Sequence, residues 1–119
     1  MDHIIVHFEI PATDQEALAA FYRDLFGWKF EHWEGGEYWT IETAPERRGA
    51  NGGMMRRQTP EQQPINYISV ESVEQYSRKI EDLGGTIVMP RTEVPNMGFF
   101  AIGVDPQGNS FGIWEAKMA

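Results

Sequence analysis

The sequence contains no cysteine. That removes disulfides, thiolate metal sites and thiol nucleophiles together. Basic residues are scarce: ten Lys and Arg stand against eighteen Asp and Glu, a net charge of −8 at pH 7. Nucleic acids and anionic lipid surfaces are gripped by concentrated positive charge, so neither a nucleic acid nor a membrane is an expected partner. No apolar run approaches the roughly 18 residues of a membrane span. The opening Met1-Asp2-His3 has neither the basic start nor the long apolar stretch of a secretory signal, and the expected location is cytoplasmic. Nothing resembles a phosphate loop, a nucleophile elbow or a Ser/His/Asp set.

What is present is a chain of 119 residues, 41% apolar and 24% charged, the size and composition of one globular domain. Residues 3–10 read as a strand with Ile4, Val6, Phe8 and Ile10 on one face and His3, Ile5, His7 and Glu9 on the other. Pro11-Ala12 should break it. Thr13 to Glu16 fits a capping box with Thr13 as N-cap, and Ala17, Leu18, Phe21, Tyr22 and Leu25 continue at helical spacing to a stop at Gly27. Residues 28–33 and 37–43 make a hairpin around Gly35-Gly36, 44–52 a loop, and 53–57 a short strand. After a polar linker the order recurs. Residues 65–71 form a strand, and Ser72 to Gln75 a second capping box. The helix that follows carries Val73, Tyr76, Ile80 and Leu83 on one face and ends at Gly84-Gly85. Strands follow at 86–89, 99–104 and 110–116, the last after an Asp105-Pro106-Gln107-Gly108-Asn109 turn.

The recurrence is an internal repeat. Ile5 matches Ile65, Leu25 matches Leu83, Ile41 matches Ile102 and Gly53 matches Gly112, at offsets of 60, 58, 61 and 59. The change from 60 to 58 implies two extra residues in the first strand–helix turn. One βαβββ unit is therefore used twice in a single α+β domain 1–119, as module 1–58, linker 59–64 and module 65–119.

The segments VHFEI at 6–10, LAAFYRDLFGWKF at 18–30, IEDLGGTIV at 80–88 and DPQGNSFGIWE at 105–115 resemble the vicinal oxygen chelate superfamily. That superfamily holds glyoxalase I, the bleomycin and fosfomycin resistance proteins and the extradiol dioxygenases. The chain is most similar to short bacterial glyoxalase-like domain proteins. The resemblance implies two βαβββ modules whose sheets form a cup, with helices outside, and often a homodimer. It places metal ligands of the metal-dependent members on the first and last strand of each module, at Ile5, Gly53, Ile65 and Gly112. None of these side chains is a donor, so no cofactor and no family-site metal is expected.

The candidate ligand-binding residues are His7, Glu9, Tyr67, Ser69, Gly53, Gly112 and Trp114. His7 and Glu9 share a strand face, opposite the apolar one, as a binding pair or as base and orienting carboxylate. The bland alternative is a satisfied polar pair. Tyr67 and Ser69 are their repeat partners. Gly53 and Gly112 sit inside strand patterns, where Gly leaves room for a ligand or marks a bulge. Trp114 alternates with Ile113, so only one of them faces the cup. Arg47, Arg48, Arg56 and Arg57 cluster on an acidic chain, facing an anion, a partner's acids or water. The expected function is metal-free binding of an unknown small molecule. The alternative is a glyoxalase-like lyase or dioxygenase relative, using a metal or His7 and Glu9.

Overall fold

The computed structural model describes residues 2–47 and 49–118. They form two compact units, His7–Ile65 and a second of residues 2–6 with 66–118. The first contains β1 (Ile5–Ala12), α1 (Gln15–Phe26), β2 (Lys29–Trp33), β3 (Tyr38–Glu42) and β4 (Asn51–Arg56), with β1 starting in the other unit. Its strands run in the order β2-β3-β4-β1, with β1 parallel to β4 and the other pairs antiparallel. The second contains β5 (Ile65–Ser69), whose first residue belongs to the other unit, α2 (Val73–Asp82), β6 (Thr86–Val94), β7 (Gly98–Val104) and β8 (Ser110–Ala116). Its order is β5-β8-β7-β6, with β5 parallel to β8. The fold is α+β, and each unit is the βαβββ module implied by the repeat.

The strands of each unit pack one face on its helix, which is what the alternating pattern requires. In the first unit Ala12, Ala19, Phe30, Ile41 and Met54 are buried, with Phe8, Ile10, Leu18, Tyr22, Trp28 and Trp39 against them. In the second, Val70, Val73, Ala101 and Ile113 are buried, flanked by Tyr76, Ile80, Phe99 and Phe111. Residues 2–6 join the second unit because Ile4 O accepts from Ser69 N at 2.9 Å and the His3 ring meets Tyr76 edge-on at 5.1 Å.

Three local expectations are corrected. First, β1 does not break at Pro11. Pro11 lies opposite Met55 and Ala12 opposite Arg56. In a parallel ladder only alternate residues turn their N–H and C=O toward a given neighbour. Ala12 is the one turned to β4, since its carbonyl accepts from Arg57 N at 2.9 Å, so no N–H is asked of Pro11 there. Second, the N-cap of α1 is Asp14, whose carboxylate accepts from Ala17 N at 3.0 Å, and not Thr13. An acid at that place also meets the positive end of the helix dipole. The second cap is where it was expected, with Ser72 Oγ accepting from Gln75 N. Gly27 ends α1 at φ 75°, a conformation that suits glycine. Third, β6 is nine residues long and continues through Pro90 to Val94, with two register irregularities against β7. It is the edge strand of its unit, where proline is tolerated.

The pairing also revises the repeat. Ile10 lies opposite Met54, and Ile68 lies opposite Ile113. The buried Ala12 and Val70, and the N-caps Asp14 and Ser72, stand at the same separation of 58 residues. The two strand–helix turns are therefore equal in length. The partner of His7 is Ile65, and the partner of Glu9 is Tyr67.

Candidate functional site

In the first unit, Phe8 and Ile10 of β1, Trp39 and Ile41 of β3 and Met54 of β4 face α1. Strand alternation sends their neighbours to the opposite face. Cross-strand pairing orders that face in rows: Pro11, Met55, Tyr38 and Trp33 form one row, and Glu9, Gly53, Thr40 and Glu31 the next. His7 with Asn51 begins a third.

Three polar side chains converge across these rows. Tyr38 Oη donates to Glu9 Oε2 at 2.8 Å, and the same oxygen lies 2.8 Å from His7 Nε2. His7 Nε2 and Glu9 Oε2 are 3.6 Å apart. The pair expected from the sequence is thus brought together, with Tyr38 inserted between its members. The Glu9 side chain is 16% exposed and that of His7 35%, so the acid is the deeper of the two. A carboxylate at that depth needs hydrogen-bond donors, and the Tyr38 hydroxyl is one.

Gly53 makes this possible. A Cβ there would overlap the Tyr38 hydroxyl and ring. The preceding Gly52 serves the other face, where a Cβ would stand 2.6 Å from the Phe8 ring and carbonyl. In the second unit the same relation recurs, since a Cβ on Gly112 would overlap the Tyr67 ring. Neither Gly53 nor Gly112 lies at a bulge, and pairing is continuous through both. The room expected beside each glycine is occupied by a tyrosine.

The other candidates gather on one face of the second unit. Tyr67 lies opposite Gly112 and Ser69 opposite Trp114, and across β7 Gly112 faces Ile102 and Trp114 faces Phe100. Ile113 is in the core, so Trp114 takes the face of Tyr67 and Ser69. Tyr67 and Phe100 meet edge-on at 6.3 Å. The arginines do not act together. Arg56 Nε bonds Glu37 Oε2 at 2.6 Å, and Arg57 Nη1 donates to Gln62 O at 2.6 Å. Arg48 and the Arg47 side chain lie outside the described residues.

Tyr38 is the residue the sequence reading missed. Two signals pointed to it: Trp39 and Ile41 are apolar, which turns Tyr38 to the His7 face, and Gly53 leaves a gap on the neighbouring strand.

A family model described as the glyoxalase/bleomycin resistance protein/dioxygenase superfamily matches residues 4–113. The chain belongs to this superfamily. The Mycobacterium tuberculosis (strain CDC 1551 / Oshkosh) protein named "Putative glyoxylase CFP32" is 30% identical over 115 residues, covering 92% of this chain and 44% of its own length. The chain thus spans less than half of that relative. Among solved structures, protein BH1468 of Bacillus halodurans C-125 superposes with TM-score 0.71 at 14% identity, covering 100% of this chain and 98% of that one. Methylmalonyl-CoA epimerase from Mycobacterium tuberculosis superposes with TM-score 0.70 at 14% identity, covering 96% and 88%. These likenesses show a shared fold.

Within the superfamily the metal-ligand positions carried over by motif require one correction. The register equates Ile65 with His7, so the first-strand position is His7 and not Ile5. The four positions then hold His7, Gly53, Ile65 and Gly112, one donor in all. Among the described residues no group of three or more His, Asp or Glu side chains is arranged to hold an ion. The donor set does not fit the metal that the superfamily resemblance implies.

Proposed function

We propose that the chain is a metal-independent small-molecule-binding domain whose polar recognition site is His7, Tyr38 and Glu9. The observation that carries this reading is the hydrogen-bonded chain of the three on the sheet face turned away from α1. It combines a fixed carboxylate, a phenol and an imidazole, convergent polar groups of the kind that orient a ligand. Trp33, on the same strand face of that unit, supports a ligand with a planar or cationic part.

A second reading has one observation in its favour. The same three groups can hold or pass a proton without a metal, which supports an acid–base enzyme acting beside a carbonyl. The likeness in fold to an epimerase and the relative named as a glyoxylase are compatible with it. A thermal-shift screen of small planar carbonyl and aromatic compounds, followed by titration of each hit, tests both. His7→Ala and Glu9→Gln should leave folded proteins that lose the hit. Unaltered affinity in both, with a lower melting temperature, would make the group architectural. A hit recovered chemically changed favours the enzyme, and one recovered intact favours the binder.

A further inference from the structure

We infer that Tyr38 and the glycine at position 53 are one device that takes the place of a metal ion in the His7–Glu9 site. The inference rests on the reading above for where the site lies, but its test needs no ligand. The superfamily resemblance implies a metal donor at position 53, on the last strand of the first module. Here a Cβ at that position would overlap the Tyr38 hydroxyl. A side chain at 53 and the seated Tyr38 therefore exclude each other.

The seated hydroxyl joins His7, the one donor among the four positions, to the neighbouring Glu9, at 2.8 Å from each. The direction of the chain follows from counting protons. An ionised carboxylate only accepts, so the single phenol proton goes to Glu9. The Tyr38 oxygen must then accept from His7, and Nε2 carries a proton. In neutral His7 the lone pair is on Nδ1, and Nε2 has none to give a cation. In the second unit Gly112 also gives its space to a tyrosine, but there it is the ring of Tyr67, from the strand position that matches Glu9.

The test compares melting temperatures of the wild type, Gly53→Ala, Tyr38→Ala and the double variant. Gly53→Ala is expected to lower the melting temperature by several degrees, or to prevent folding, only while Tyr38 is present. In the Tyr38→Ala background it should cost little. Equal losses in both backgrounds would mean that Gly53 serves the backbone, and would overturn the proposal. A second arm titrates Ni²⁺ and Zn²⁺ into Tyr38→Ala/Gly53→Glu, where His7, Glu9 and the new carboxylate are three donors on one face. A saturable rise in melting temperature, abolished by adding His7→Ala, is expected. No rise, or a rise that survives without His7, contradicts the exchange of phenol for metal. Neither arm involves a small-molecule hit, so failure here and failure of the binding reading are separate results.

Discussion

Glu9 and Asp105 are two carboxylates held by different means. Glu9 takes a hydrogen bond from a side chain that reaches across β4. Asp105 is held by its own turn. Its carboxylate accepts from the backbone N–H of Asn109 and of Gln107, and from Asn109 Nδ2. The Asn109 backbone and side chain, followed by Gln107, hold its pKa below the ordinary value. Because the folded pKa is lowered, the ionised form favours the fold. Its contribution is present above the unfolded value near 4 and is lost as pH falls through the folded one. Asp105→Ala is therefore expected to melt below the wild type at pH 7, with the gap closing below about pH 4. Urea melts at pH 7 and pH 3 check this, and an equal gap at both would contradict it. The turn was legible because Asp, Pro, Gly and Asn each have a local reason to be there. Tyr38 was not, because its role depends on the gap that Gly53 leaves on the neighbouring strand, and spacing along the chain does not report which strands pair.

At the scale of elements, both helices and nearly every strand were legible from periodicity and punctuation. The errors share a cause: tertiary pairing overrode a local rule. Pro11 reads as a breaker, yet its missing N–H faces away from β4. Pro90 reads as a stop, yet β6 passes through it at the edge. Thr13 and Asp14 are both good caps, and the chain enters α1 one residue later than Thr13 would allow. The repeat was found, but its register was set two residues off on β1, which hid the match between His7 and Ile65. Exchanging the caps tests the revised start of α1. Asp14→Ala should cost about 1 kcal/mol, within the range of roughly 0.5–2 for a lost N-cap, and Thr13→Ala a few tenths. Chemical denaturation of both variants distinguishes them, and the reverse order would restore Thr13.

At the scale of the molecule, one βαβββ unit is used twice, and the four positions where the superfamily resemblance implies metal ligands hold one donor. The homodimer expectation drew on the arginine segment. Arg56 and Arg57 are engaged with Glu37 and with the Gln62 carbonyl inside their own unit. A homodimer remains a proposal, and light scattering checks it: twice the 13.6 kDa chain mass is expected, and a monomer mass at high concentration contradicts it. The central claim is that this site works without a metal. Its most direct measurement is the thermal shift of the wild-type protein, purified without chelator and analysed for metal, as Ni²⁺, Zn²⁺, Mn²⁺ or Fe²⁺ is added. An ion at 100 times its Kd would stabilise the fold by about 2.7 kcal/mol, a shift easily seen in a domain of this size. The account predicts no stoichiometric metal and no saturable rise; one ion per chain, or a melting temperature that climbs and saturates with any of the four, would contradict it.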